Sequence, residues 1–168
     1  MTIAYIDFTQ AFDSVSHEKL FARLYMYGIC GNVLQWLQNF FKDRTHQTRV
    51  GECLSDVCNL LSGVVQGSGI GPIMFIVYIN ELAQLLEHYG IMVKLFADDV
   101  KAYLQVVNVD DANKLQKALD IIVEWANEWQ LLLSVNKCNI VNVGYAPFMT
   151  DYYVYDSVLP RNSSCRDM

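Results

Sequence analysis

The sequence contains no hydrophobic run of the ~18–20 residues that a membrane-spanning helix needs. The best candidate, Ile73 to Ile79, ends directly at Asn80 and Glu81. A secretory signal is also missing, because the first residues have no basic start and reach Asp7 before a useful hydrophobic segment can form. We therefore expect that the chain is not a membrane protein and is intracellular, without a choice between nucleus and cytoplasm.

Paired cysteine and histidine motifs are also absent. The five cysteines are odd in number and form no C-x-x-C pair, so neither a disulfide framework nor a zinc cluster is predicted. The three histidines have no partner three or four residues away. We expect buried free thiols without a disulfide partner, and histidines that are structural or solvated.

Basic residues are scarce: 12 Lys and Arg stand against 18 Asp and Glu, for a net charge of −6. A net negative charge is unfavourable for a free-standing protein that binds nucleic acid, because the phosphates are also negative. What the sequence has in quantity is hydrophobic residues, 53% of 168, which is enough for the core of one domain.

The first part of the chain predicts a strand and two helices. Thr2 to Phe8 is typical of a short buried strand with Asp7 near its end. Ser16 is placed to cap a helix that ends at Gly28. A second helix is marked by apolar residues at helical spacing, namely Val33, Trp36, Leu37, Phe40 and Phe41.

Two hairpins and a glycine loop are predicted next. Residues 47–50 and 54–61 weakly indicate a hairpin around Gly51. A glycine-rich stretch, residues 63–72, precedes a helix with Pro72 in its first turn. Residues 91–96 and 100–106 predict a second hairpin with Asp98 and Asp99 at its tip.

The remainder predicts a long amphipathic helix over residues 112–129 and two short strands, 131–135 and 140–143. The tail from Tyr145 has weak periodicity, so it is either loose or an element separated from its partner. This order predicts an α+β fold, a mainly antiparallel sheet with helices packed on one face.

The acids at the strand ends are the chemical signal. Asp7 and the Asp98–Asp99 pair would meet if their strands are neighbours, and converging carboxylates suit Mg²⁺. Two such ions stabilise the attacking and leaving oxygens of an in-line displacement. An ordinary Asp-Asp turn is the alternative. The apolar residues on both sides of the pair favour the metal site over a solvated turn.

Four ordered blocks together resemble reverse transcriptases. Residues 7–15 resemble the first palm motif, residues 63–82 the second, Phe96-Ala97-Asp98-Asp99 the third, and residues 125–144 the fourth. The phenylalanine of the third block is similar to the non-LTR (LINE-type) retrotransposon branch. Arg166-Asp167-Met168 looks like the start of a further motif. The resemblance implies a polymerase palm with its associated helices over 1–144, the truncated start of a segment leading toward the thumb over 145–168, and fingers and thumb largely missing.

That resemblance implies an RNA-directed DNA polymerase that adds deoxynucleotides to a primer 3′-hydroxyl. Asp7, Asp98 and Asp99 would be catalytic and hold two Mg²⁺ ions, with Mn²⁺ as an alternative. Lys137 resembles a general acid for the leaving pyrophosphate. The implied partners are an RNA template, a DNA primer and deoxynucleoside triphosphates.

The substrate-binding residues implied by the resemblance are Phe8, Phe12, Gln66 and Gly67. Phe12 resembles an aromatic gate that excludes a 2′-hydroxyl, and a core aromatic is the alternative. Gln66 offers an amide to the nucleotide and template. Val65 stands where the family usually has proline. For Asp13 we favour a structural or hydrogen-bonding role over metal ligation.

Three alternatives stay open. The first is that the chain is an inactive truncated remnant of a retroelement. The second is a fragment of a group II intron-type or telomerase reverse transcriptase, and the third is a nucleotide cyclase with a palm-like topology. The intact acids and Gln66 favour an active family member. The cyclase ranks far below, because the sequence has no G-G-D/E-E-F-type block.

Overall fold

The computed structural model describes residues 1–162, and within them it has five helices and eleven short strands. The helices are α1 (Ala11–Ser14), α2 (His17–Met26), α3 (Gly31–Phe41), α4 (Gly71–His88) and α5 (Val109–Glu128). The strands are β1 (Thr2–Ile6), β2 (Thr45–His46), β3 (Arg49–Val50), β4 (Cys53–Leu54), β5 (Cys58–Asn59), β6 (Met92–Phe96), β7 (Asp99–Leu104), β8 (Asn139–Asn142), β9 (Tyr153–Val154), β10 (Ser157–Val158) and β11 (Arg161–Asn162).

These elements fall into two units, each with its own internal contacts. The first, here called the sheet unit, comprises Met1–Ala11 and the chain from Ile79 onward. The second, here called the loop unit, comprises Phe12–Tyr78. Helix α4 belongs in part to each unit. The predicted boundary after residue 144 does not coincide with this division and stays a prediction.

The sheet unit contains a five-stranded sheet in the order β11-β8-β1-β7-β6. Its pairs are antiparallel except β11 with β8, which is parallel. Strand β1 lies at the centre, which explains why its residues are almost all apolar. The predicted α+β class with a mainly antiparallel sheet is confirmed.

One face of this sheet is buried across its width. Val93, Ala102, Ala4 and Ile140 lie opposite one another in register, and all four are buried. Ala4 and Ala102 are 0% exposed, so larger side chains there would overpack the core. Phe96 lies on the other face and is 70% exposed to solvent. Since α5 contacts β7, this pattern fits helices on one face.

Helix α5 begins where the Asn108 carbonyl side chain accepts a hydrogen bond from the Asp111 amide at 2.9 Å. Its buried face carries Leu115, Ala118, Leu119, Ile122, Trp125 and Ala126. Phe8 packs edge-on against Trp125, with 6.3 Å between ring centroids. The predicted amphipathic helix is confirmed.

Two predictions for the second half of the chain are wrong. Residues 131–135 do not form a strand, because only Leu133 bridges to Phe8 while the neighbouring groups bond to irregular backbone. The tail is not loose over its described part: Val154 and Leu159 are buried, and β11 pairs with β8. Short polar strands carry too little periodicity to reveal such pairing. The motif expected at residues 166–168 lies outside the described residues.

The loop unit contains α2, α3 and a long hairpin. In the hairpin, β2 pairs with β5 and β3 with β4, about a turn at Gly51, as predicted. Ser16 precedes α2, but its side chain makes no capping hydrogen bond. Trp36, one of the residues that marked this helix in the sequence, is 56% exposed, and Leu37 and Phe41 form the buried face of α3. Within residues 1–162, no helix combines the length and hydrophobicity needed to cross a membrane.

Candidate active site

Asp7 follows the last residue of the central strand of the sheet. Its backbone carbonyl accepts a hydrogen bond from the Ser134 amide at 2.8 Å, and the Thr9 amide donates to the Leu132 carbonyl at 2.7 Å. The pairing of β1 therefore continues past its regular end in an irregular form. This fixes the backbone of Asp7 and leaves its side chain 16% exposed.

Lys137 forms an ion pair with Asp7. Its Nζ lies 3.2 Å from Oδ1 and 3.5 Å from Oδ2 of the carboxylate. The lysine is placed by a tight turn, in which the amides of Lys137 and Cys138 donate to the Ser134 carbonyl at 2.8 and 3.2 Å. Its side chain is 63% exposed, so the pair is accessible to solvent.

Cys138 is a neighbour of Asp7 that the sequence did not indicate. Its Sγ accepts a hydrogen bond from the Asp7 amide at 3.5 Å. Burial raises the pKa of this thiol to about 11. A single cysteine without a partner motif gives no signal that predicts such a contact.

Asp98 lies in the turn between β6 and β7, as predicted, whereas Asp99 is already the first residue of β7. Ala97 and Asp98 form the turn, with Ala97 at φ 51°, and Asp99 pairs with Phe96 as the first residue of β7. Burial raises the pKa of Asp99, and the charges of Asp98 and then Asp7 raise it further. The lysines Lys101 and Lys137 oppose this shift.

The sheet unit thus brings the predicted catalytic residues close enough for Asp7, Asp98 and Lys137 to shift the pKa of Asp99. Antiparallel pairing of β1 with β7 puts the end of one strand beside the start of the other, with Ile6 opposite Val100. Within residues 1–162, no three His, Cys, Asp or Glu side chains lie close enough together to hold a metal ion by themselves. Hard carboxylate oxygens are nevertheless the correct donors for Mg²⁺, which protein sites often bind through one or two carboxylates plus waters and phosphates.

The loop unit holds three of the four predicted substrate-binding residues on one cavity. Phe12, Gln66 and Gly67 line a space of about 250 Å³ together with Val64, Gly71 and Pro72. The Phe12 ring stacks on Phe75 with centroids 4.3 Å apart. The fourth residue, Phe8, belongs to the sheet unit, where its ring is 1% exposed and part of the core.

Backbone hydrogen bonds hold the glycine loop against residues 12–15. The Gly63 amide donates to the Val15 carbonyl at 2.8 Å, and the Val64 amide donates to the Phe12 carbonyl at 2.7 Å. Gly63 has φ 91°, and a Cβ there would lie 2.9 Å from the backbone of Asp13. Glycine is therefore required at position 63 by both conformation and space.

Asp13 makes a short hydrogen bond to Gln66. The amide Nε2 of Gln66 donates to Oδ1 of Asp13 at 2.6 Å, and the Ser62 hydroxyl donates to the Asp13 backbone carbonyl at 2.8 Å. A carboxylate only accepts hydrogen bonds, so this contact fixes which end of the Gln66 amide faces Asp13. The hydrogen-bonding role favoured for Asp13 is confirmed.

Comparison with known proteins identifies the family. The family model for reverse transcriptase (RNA-dependent DNA polymerase) matches residues 1–160. The chain is 27% identical over 142 residues to the RNA-directed DNA polymerase from mobile element jockey of Drosophila funebris, covering 80% of this chain and 15% of that protein. It is 27% identical over 153 residues to the retrovirus-related Pol polyprotein from type-2 retrotransposable element R2DM of Drosophila melanogaster, covering 86% of this chain and 14% of that protein.

The fold has relatives among solved structures. Telomerase from Candida albicans superposes with a TM-score of 0.65 at 11% identity, covering 91% of this chain and 29% of that one. At that identity the likeness concerns the fold. The resemblance to non-LTR retrotransposon polymerases is confirmed, and the chain belongs to the reverse transcriptase (RNA-dependent DNA polymerase) family.

Proposed function

We propose that this chain carries the catalytic residues of an RNA-directed DNA polymerase, which joins deoxynucleoside triphosphates to a primer 3′-hydroxyl by two-metal nucleotidyl transfer. The observation that carries the proposal is the electrostatic interaction of Asp99 with the carboxylates of Asp98 and Asp7. Burial raises the pKa of Asp99, and the negative charges of Asp98 and Asp7 raise it further. Such repulsion between acids favours binding of a cation, and the family in general depends on divalent metals.

The proposed metal ligands are Asp7, Asp98 and Asp99, with Mg²⁺ as the ion and Mn²⁺ as the alternative. When bound, the metal would lower the pKa of the primer hydroxyl and offset the negative charge that develops on the phosphates. The chain's own contribution is to hold the acids in place. Asp7 is held by irregular backbone pairing, and Asp98 and Asp99 by the hairpin turn.

Lys137 is the proposed general acid toward the leaving pyrophosphate. Its ammonium lies 3.2 Å from Asp7 Oδ1 and its side chain is largely exposed, so it combines proximity to a proposed metal ligand with access to solvent. A cationic N–H group at such a position can donate a proton to a phosphate oxygen as negative charge develops there.

The 250 Å³ cavity of the loop unit is the proposed site for the incoming deoxynucleotide. Phe12 would exclude a 2′-hydroxyl, because its ring is immobilised by stacking on Phe75. Gln66 and Gly67 line the same cavity. Phe8 would act on substrate only through its backbone, since its ring is buried.

The chain spans about 15% of the length of the relatives that it matches. Its net charge of −6 gives it little attraction for template and primer phosphates. We therefore propose that polymerase activity belongs to a longer protein. The 168-residue chain alone is expected to give no processive synthesis, and efficient extension of a primed RNA template by it would contradict this expectation.

The test uses a chimera in which this chain replaces the matching segment of the jockey polymerase. Primer extension on an RNA template should require Mg²⁺ or Mn²⁺ and fall by about a thousandfold in Asp98→Asn, because a carboxylate facing the metal is lost. Asp56→Asn, in the hairpin of the loop unit, is the control for the loss of one negative charge. Undiminished extension by Asp98→Asn would refute the metal-ligand assignment.

A further inference from the structure

One turn of the chain contacts the amide, the carbonyl and the carboxylate of Asp7. This turn, here called the Asp7 clamp, comprises residues 134–138. The Ser134 amide donates to the Asp7 carbonyl at 2.8 Å, and the Lys137 ammonium lies 3.2 Å from Oδ1 of the carboxylate. The Asp7 amide donates to Sγ of Cys138 at 3.5 Å. The clamp therefore holds the backbone of Asp7 as well as its side chain.

The thiol of Cys138 takes the place of a backbone acceptor. Regular pairing of β1 with β8 ends with Tyr5 opposite Asn139, so the next acceptor in that register is the Lys137 carbonyl. That carbonyl accepts a hydrogen bond from the Asn139 side-chain amide at 3.2 Å. The Asp7 amide bonds to sulfur, so a side chain extends the hydrogen-bond ladder of the central strand by one contact.

Cys138 is completely buried, and its thiol lies between two backbone groups of Asp7. Its exposed fraction is 0%, and its S–H group donates to the Asp7 carbonyl with 3.9 Å between sulfur and oxygen. An N–H group that loses its acceptor in such surroundings is left with an uncompensated desolvation cost. Because a thiol is a weak acceptor and a weak donor, we expect these contacts to fix position more than they add stability.

The position of the Asp7 backbone matters because the carboxylate that it carries is a proposed metal ligand. Groups that bind a metal ion must be held within about 0.5 Å of the productive geometry. Loss of a hydrogen bond that orients such a group typically lowers metal affinity about 10–100-fold. Only 16% of the Asp7 side chain is exposed, so it has little freedom to compensate for a shift of its backbone.

We propose that Cys138 is a positioning residue, whose thiol fixes the backbone of Asp7 and thereby directs its carboxylate toward the metal. This inference rests on the proposed function, because it requires that Asp7 binds metal. Cys138 acts through Asp7 and is not itself a ligand. A role in packing alone is the alternative, and it predicts that an apolar side chain of the same shape serves equally well.

The experiment compares Cys138→Thr with Cys138→Val. The two side chains have nearly the same shape, but only threonine carries a hydroxyl that can accept the Asp7 hydrogen bond. Amide hydrogen exchange of the 168-residue chain is measured by NMR without metal. The Asp7 amide should exchange about five- to tenfold faster in Cys138→Val than in Cys138→Thr. The Ser134 amide is the internal control, because its acceptor is the Asp7 carbonyl in both variants, and its exchange should differ less than about twofold.

Metal affinity tests the consequence for the site. Binding of Mn²⁺ to the 168-residue chain is measured by electron paramagnetic resonance of the free ion. Cys138→Val should raise the Kd about tenfold, while Cys138→Thr should stay within about twofold of the native chain. In the jockey chimera at saturating Mg²⁺, the KM for the deoxynucleotide should change less than about twofold in both variants, because Cys138 does not line the proposed nucleotide cavity.

Equal exchange of the Asp7 amide in the two variants, or equal Kd values for Mn²⁺, would overturn the proposal and leave Cys138 with a packing role. Circular dichroism confirms that both variants are folded. If the added methyl group prevents folding, Cys138→Ser and Cys138→Ala make the same comparison with smaller side chains. Unchanged Mn²⁺ affinity in Asp7→Asn would instead refute the proposed function, so the two failures are distinguishable.

Discussion

Two aspartates close together in the sequence are stabilised in different ways. Asp7, in the sheet unit, pairs with the ammonium of Lys137 at 3.2 Å and lies in the field of Asp98 and Asp99. Asp13, in the loop unit, accepts a hydrogen bond from the neutral amide of Gln66 at 2.6 Å. Charge pairing in a carboxylate cluster suits a cation site, whereas amide pairing suits positioning of a side chain. The same residue type is therefore held in two different electrostatic surroundings.

Among the tests that leave the aspartates unchanged, substitution of Lys137 is expected to have the largest effect. In the chimera, Lys137→Ala should lower kcat by about a hundredfold, as expected for loss of a general acid. Its effect on the free energy of unfolding should be below about 1 kcal/mol, because the lysine is 63% exposed. The measurement is single-nucleotide incorporation at saturating substrate, alongside urea denaturation.

Lys137→Arg sharpens that test. Arginine keeps the positive charge beside Asp7 but does not release a proton at neutral pH. It should restore stability without restoring kcat. If it recovers most of kcat, Lys137 acts through its charge alone, and the assignment as general acid is wrong.

A smaller effect concerns one buried weak acid in each region. Burial raises the pKa of Cys138 in the sheet unit to about 11, and that of Tyr78 in the loop unit to about 12. Both stay protonated in the folded chain at pH values where the unfolded chain ionises. As the pH rises, each group therefore lowers the free energy of unfolding by about 1.4 kcal/mol per pH unit. Cys138 does so between about pH 9 and 11, and Tyr78 between about pH 10 and 12.

The check compares alkaline denaturation of the native chain with Cys138→Ala and Tyr78→Phe. Each variant should lose the steep part of the stability decrease in its own pH window. Parallel stability curves for the native chain and both variants would mean that neither group is buried as described.

The smallest expected effect comes from exchanging the Asp13–Gln66 pair. Gln66→Glu places two carboxylates against each other and should lower the free energy of unfolding by about 1 kcal/mol. Adding Asp13→Asn restores an amide–carboxylate pair in the opposite direction, at the net charge of the native chain, and should recover most of that loss. Urea denaturation measures both. Additive losses in the double variant would show that the two side chains do not interact.

The sequence predicted the sheet and its acids well, for a physical reason. Strand β1 and the β6–β7 hairpin consist of strongly apolar segments that end in acids, so strand identity and turn position are both encoded locally. The same holds for α5, whose periodicity is continuous over its length. The resemblance to the reverse transcriptase motifs then distinguished Asp7, Asp98 and Asp99 from the other acids of the chain.

Sequence reasoning failed where long-range pairing decides the structure. The segment around Leu133 resembled a strand, yet it forms one bridge because its neighbours bond to the irregular backbone after β1. Pairing of Arg161 with Ile140 joins short segments with little apolar pattern. The contacts of Cys138 with Asp7 and of Asp13 with Gln66 depend on tertiary placement, which no local motif reveals.

The most direct test makes the same substitution in both regions. Primer extension by the chimera is compared for Asp7→Asn and Asp13→Asn, which remove one charge each and keep side-chain size. Asp7→Asn should lower extension by about a thousandfold, as expected for loss of a metal ligand, while Asp13→Asn, which still accepts a hydrogen bond from Gln66, should stay within about tenfold of the native chain. Equal losses, or a larger loss in Asp13→Asn, would contradict the assignment of Asp7 to the metal site.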